Sequence, residues 1–160
     1  RGTKVINIAA LLNDLGPSQK AFYFIKSFNE LSKDPNFSCA AFTCNIGVPV
    51  TKPLFSCSSV ACFSDYFGIA IATTLAEAEM LLKSNNKSKK YLYLWDLEWV
   101  RNPVNFSQAC NILLDNRLKI ITRSKSHSQI VENFCNKKPI GIVEDWNGEQ
   151  LLTLLEKENA

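Results

Sequence analysis

Four times in the second half of the chain the same short pattern recurs: Thr74 with Glu77, Asn105 with Gln108, Ser126 with Gln129, and Asn147 with Gln150. In each, a Ser, Thr or Asn stands three residues ahead of a Glu or Gln. In that arrangement two side chains satisfy two orphan N–H groups at a helix start. Each pair precedes an apolar stripe at helical spacing: Leu75/Ala78/Leu82, Ala109/Leu113/Leu114, Ile130/Val131/Phe134 and Leu151/Leu152/Leu155. Between these helices lie short apolar runs, Ile69 to Ala72, Tyr91 to Trp95, Lys119 to Thr122 and Ile140 to Val143. Strands that alternate with capped helices leave few foldable arrangements.

The first half obeys the same rhythm. Val5 to Leu12 is a nearly continuous apolar run, the mark of a strand buried on both faces. Gly16-Pro17 reads as a helix start with Pro at the first helical position, and Asp34-Pro35 as its stop. Ala21, Phe24, Ile25, Phe28 and Leu31 recur between them at helical spacing. Phe37 to Thr43 reads as a strand, and the Pro- and Ser-rich stretch from Asn45 to Tyr66 as irregular, with one short strand at Val60 to Phe63. The expected fold is α/β: a three-layer, doubly wound, mostly parallel sheet of six or seven strands, Rossmann-like, with right-handed crossovers. Residues 1–160 are expected to form one such domain, since 160 residues suffice for a substantial core.

Composition narrows the function classes. A net charge of +3, evenly scattered, does not describe a nucleic-acid surface. The cluster Lys83, Lys87, Lys89 and Lys90 reads as a solvated loop. No apolar stretch reaches bilayer length, and the chain enters its first strand almost at once, so neither a membrane span nor a signal peptide is expected. Cys39, Cys44, Cys57 and Cys62 are spaced C-x4-C-x12-C-x4-C, yet the strand-like residues between the first two oppose a zinc site. With Cys110 and Cys135 they are expected as reduced thiols in a cytoplasmic protein, which leaves the sequons at Asn36, Asn86 and Asn105 without a role.

In an open α/β sheet the loops that follow the strands make the functional edge. The first, Asn13 to Gln19, has a single Gly, so it carries neither the dinucleotide fingerprint nor a Walker sequence, and no cofactor is expected. Its helix start leaves backbone N–H groups for a ligand. The second, Trp95-Asp96-Leu97-Glu98-Trp99, delivers two carboxylates and two indoles. If the backbone stays extended, Asp96 and Glu98 face the same way. They then either bind a hydroxyl, water or cation with the indoles stacking on a sugar, or pair with Arg101 while the indoles enter the core. The third, Thr122 to Ser128, brings Arg123, Ser124 and the chain's one His, His127, to a helix start suited to an anion. The Ser and His there do not form a hydrolytic triad, because there is no nucleophile elbow. The fourth, Glu144-Asp145-Trp146-Asn147, repeats the acid–Trp pairing, with Asn147 as the helix cap.

Three of these segments carry a resemblance: Val5 to Leu31, Tyr91 to Trp99, and Ile120 to Ser124 followed by Ile140 to Val143. Together they are similar to the N-terminal Rossmann-like domain of GT-B glycosyltransferases, two-domain enzymes that move a sugar from a nucleotide donor. Pro17 departs from the pattern, standing where those enzymes often have a second loop glycine. The resemblance implies an acceptor-side half of a sugar-nucleotide-dependent transferase, or a short relative, with Asp14, Gly16, Ser18, Asp96, Glu98, Arg123 and Ser124 lining the cleft. Asp96, Glu98 and His127 are the candidates for a catalytic base. The GT-B donor site lies mainly in the other domain, so the implied partners are a sugar or nucleotide-sugar ligand and either a C-terminal domain or a second copy. The alternative is a non-catalytic binding or assembly module that keeps the fold. A receiver-like domain fits less well, because Asp14 alone does not supply its acidic cluster.

Overall fold

The structure is a computed structural model that describes residues 5–45, 47–102 and 106–159. Seven strands form one sheet: β1 (Ile6–Leu12), β2 (Phe37–Thr43), β3 (Ser56–Ser59), β4 (Ile69–Ala72), β5 (Lys89–Leu94), β6 (Leu118–Thr122) and β7 (Gly141–Ile142). All six pairings are parallel, in the order β3-β2-β1-β4-β5-β6-β7. The helices are α1 (Gln19–Leu31), α2 (Leu75–Lys83), the single turn α3 (Glu98–Arg101), α4 (Phe106–Leu114), α5 (Lys125–Cys135) and α6 (Gly148–Asn159). This is the doubly wound, Rossmann-like sandwich that the alternating pattern predicts.

Strand alternation splits the core in two. Ile8, Ala10 and Leu12 of β1 and Tyr91 and Tyr93 of β5 point to one face, where α1, α6 and Trp146 cover them. Ala9, Leu11, Leu92 and Leu94 point to the other, under α2, α4 and α5. A row of fully buried residues therefore runs along β1 and β5, as expected of strands covered on both sides. Gly68 is needed where β4 begins: its φ is +129°, and a Cβ there would sit 2.5 Å from the Asn7 carbonyl oxygen.

Several local expectations are corrected. Pro17 is not the first helical residue; Ser18 caps α1 by accepting the Ala21 N–H at 3.0 Å, so the helix begins after it. The short strand lies at Ser56–Ser59 rather than Val60 to Phe63, which form a 3-10 turn opened by the Ser59 hydroxyl. The box at Ser126 and Gln129 gives way to Ser124, whose Oγ accepts the His127 N–H at 3.2 Å. Thr74 and Glu77 do form the reciprocal box. At α6, Asn147 Oδ1 accepts the Gln150 N–H, but the Gln150 side chain accepts from Glu144 N–H instead of returning to Asn147. Asn105 lies outside the described residues. Lys89 and Lys90 open β5 instead of lying in a loop, and Ser88 before them is buried.

Candidate functional site

In the strand order, β4 lies beside β1 while β2 and β3 lie on its other side, so the winding reverses between β1 and β4. The carboxyl ends of these two strands part there, which is where such sheets take their ligands. Leu12 leads to Asn13 and Asp14, and Ala72 leads to Thr73 and Thr74.

Side chains hold the start of α2. Glu77, almost fully buried, accepts the Thr73 N–H at 2.8 Å, the Thr74 N–H at 2.9 Å and the Thr73 hydroxyl at 2.7 Å, all on Oε2. Its Oε1 is buried with no partner among the described residues. Glu98 reaches over from the β5 side and accepts the Leu75 N–H on Oε2 at 2.7 Å. Lys20, in the first turn of α1, donates to Thr73 Oγ1 at 3.1 Å and so spans the gap between the two strand ends. Two carboxylates and one ammonium thus meet at the switch point.

Glu98 is the unusual member. Burial pushes its carboxyl above the ordinary range; the Leu75 N–H draws it back in part, and the negative charge of Glu77 adds to the rise. The charge of Lys20 opposes that rise and that of Asp96 adds to it. Its Oε1 has no hydrogen-bond partner among the described residues. A half-buried carboxyl with one anchored and one free oxygen can accept a hydrogen bond from a ligand hydroxyl, and its raised pKa brings it nearer to the range useful for proton transfer. A phosphate fits less well here, because the amides of Thr73, Thr74 and Leu75, which lead into α2, already bond Glu77 and Glu98.

The predicted site residues divide. The chain does not stay extended past Asp96: Glu98 begins a helical turn, so the two carboxylates have different partners, Leu75 for Glu98 and a loose 3.7 Å ion pair with Arg101 for Asp96. Asp14 and Gly16 shape the first loop, with Asp14 Oδ1 accepting the Gly16 N–H at 2.8 Å. Ser18 and Ser124 are helix caps. His127 is half-buried in α5, its Nδ1 without a partner among the described residues, and no hydrogen bond joins it to Asp96 or Glu98.

Both indoles are covered. Trp99 stacks on Phe134 with centroids 4.8 Å apart. Trp95 lies under Arg123, whose guanidinium carbon is 3.7 Å from the ring centroid. Arg123 also pairs with Asp145 at 2.7 Å. Asp145 and Trp146 both take left-handed backbone angles (φ 42° and 58°), a costly conformation for residues with side chains. Tyr93 holds that turn: its hydroxyl donates to the Val143 carbonyl at 2.6 Å and accepts the Trp146 N–H at 3.2 Å, and burial pushes its pKa up to about 12.

Lys20, Thr73 and Glu77 escape a sequence reading of the site. The Thr74–Glu77 box is visible in the sequence, but only the strand order reveals that it sits at the switch point. On the other side of β1 lies a cleft of about 430 Å³ lined by Cys44, Cys57 and Gly47, the last packed near Asp14. The cysteines are all free, and among the described residues no group of three or more His, Cys, Asp and Glu side chains could hold a metal. No helix among the described residues is long and apolar enough to cross a membrane. No family model matches the chain, and no curated protein or solved structure matches it either.

Proposed function

We propose that the chain is a glycosyltransferase-like domain that receives the hydroxyl-bearing acceptor of a sugar-nucleotide-dependent transfer, as the acceptor-side half of a GT-B-type enzyme or a short relative of one. The observation that carries this reading is Glu98 at the switch point, with one oxygen anchored to Leu75 N–H, the other free, and a carboxyl pKa raised by burial. Such a group suits a hydroxyl that must be oriented and deprotonated as it attacks. Lys20 and Asp96 act on the charge of Glu98 and complete a polar edge that suits a sugar better than a phosphate. Transfer itself requires a second domain or partner to present the nucleotide donor.

The second reading, a binding module without chemistry, draws support from one fact. Asp14, Ser18 and Ser124 have their side chains engaged in loop and cap hydrogen bonds. Titration calorimetry with a panel of monosaccharides and with UDP-, GDP- and ADP-sugars tests both readings. Sugar binding that Glu98→Gln weakens supports the acceptor reading. Binding that Glu98→Gln leaves unchanged removes Glu98 from the site, and the absence of binding by the whole panel contradicts a sugar site.

A further inference from the structure

On one face of the sheet α1 and α6 lie side by side, and the groove between them, which reaches from the turn after β7 to the start of β2, runs against the charge of the molecule. The chain carries a net +3, yet six of its 15 acidic residues line this one groove of about 880 Å³: Glu30, Asp34, Glu144, Asp145, Glu149 and Glu156. Among the described residues Lys26 is the one base in its wall. Glu30 is paired with Lys33 and Asp145 with Arg123, whereas Glu144, Glu149 and Glu156 have no ion pair among the described residues. Glu149 and Glu156 stand seven residues apart on α6, which places them on the same helical face.

A second observation lies in the groove lining. Ser27 is only 8% exposed and Trp146 only 1%, and Ser27 Oγ and Trp146 Nε1 have no hydrogen-bond partner among the described residues. Buried donors without acceptors are uncommon and costly. A third observation is continuity. Phe37, Leu152 and Glu156 also line a neighbouring cavity of about 790 Å³ at the amino edge of β1 and β4. Its wall is largely apolar, with Val5 49% and Phe67 68% exposed, and it carries Lys87 and Lys89, which disfavour a cation there and leave it to an apolar residue.

We propose that these joined grooves dock a short basic peptide segment of another protein. Its Lys or Arg side chains lie along the carboxylates, its carbonyl oxygens face Ser27 and Trp146, and an apolar residue at its end enters the Phe67 cavity. The chemistry separates this occupant from smaller cations. A metal ion needs converging ligands, and no such group exists among the described residues. A polyamine brings no acceptor for the two buried donors. A peptide supplies cations, acceptors and an apolar anchor together.

The test is fluorescence polarisation at low salt with a fluorescein-labelled synthetic peptide of alternating Lys and Gly ending in Phe-Leu. The wild-type protein is expected to bind it. Glu149→Gln/Glu156→Gln and, separately, Phe67→Ser are each expected to weaken binding about tenfold, because they remove the charged and the apolar contacts. The control Asp65→Asn/Glu132→Gln, outside the groove, should bind as the wild type does, and a Glu-for-Lys peptide should not bind. All substituted side chains are exposed, and thermal melts confirm that the variants fold. No binding of the Lys peptide, equal binding by the groove variants, or an equal loss in the control would overturn the proposal. Sedimentation velocity adds one outcome: low-salt self-association abolished by Glu149→Gln/Glu156→Gln would make a second copy the occupant and would also overturn it.

Discussion

The carboxyl edge of the sheet has two halves that handle polar groups in opposite ways. In the outer half, around β5, β6 and β7, several edge groups are matched to one another, and Trp146 Nε1 and His127 Nδ1 are left without a partner among the described residues. The Tyr93 hydroxyl serves both the Val143 carbonyl and the Trp146 N–H, and Arg123 lies between the Trp95 ring and Asp145. In the inner half, around β1, β4 and β5, Glu77 and Glu98 each hold the start of α2 with one oxygen and leave the other without a partner among the described residues. Matched groups fix a shape. Half-matched carboxylates fix a shape and keep an acceptor for a ligand, and that difference marks the inner half as the candidate site.

Substitutions can break or sharpen the contrast. Glu77→Ala should have the largest effect, because it leaves the Thr73 and Thr74 N–H groups at the start of α2 without an acceptor and the Thr73 hydroxyl with only the Leu11 carbonyl. A loss of roughly 3–5 kcal/mol is expected from urea unfolding. Tyr93→Phe comes next, at about 2 kcal/mol, since it removes one donor and one acceptor from the strained turn at Asp145 and Trp146. If it costs as much as Glu77→Ala, the outer half depends on its polar groups as heavily as the inner half does, and the contrast weakens. Arg123→Ala should cost only about 1 kcal/mol, because both its stack on Trp95 and its pair with Asp145 lie near solvent.

Glu98→Gln should disturb stability least, because the amide oxygen can still accept the Leu75 N–H. Its effect lies in pH dependence. The folded carboxyl titrates above the ordinary glutamate value of 4.5, so the folded state favours the protonated form. The stabilisation from Glu98 is complete below that value and is lost as pH rises through the raised folded value. Wild-type stability minus that of Glu98→Gln should therefore fall as pH rises across this range, measured by urea titrations at a series of pH values. A rising difference would mean that Glu98 is stabilised as an anion.

Much of this architecture is legible in the sequence. The apolar runs of β1 and β5 and the Thr74–Glu77 box read directly, because burial on two faces and capping are local properties. Where two local signals compete, the reading slips: Ser18 and Ser124 offered better caps than Pro17 and Ser126 suggested. The site was harder to read because it depends on strand order. Lys20 and Thr73 are 53 residues apart and become neighbours only once β4 lies beside β1. Glu98 is a candidate from the sequence alone, but its anchor, Leu75, lies 23 residues away at the start of the helix that follows another strand. Trp95 reads equally as a sugar platform or as a core residue, because nothing local shows that Arg123 covers it.

The central claim is that ligand-binding capacity resides in the inner half of the edge. Amide NMR shifts during titration with the monosaccharide panel test it most directly. The account predicts saturable shifts at Lys20, Thr73, Leu75 and Glu98, little change at Tyr93, Val143 and Trp146, and loss of those shifts in Glu98→Gln. Saturable shifts centred on the outer half, or inner-half shifts that survive Glu98→Gln, would contradict it.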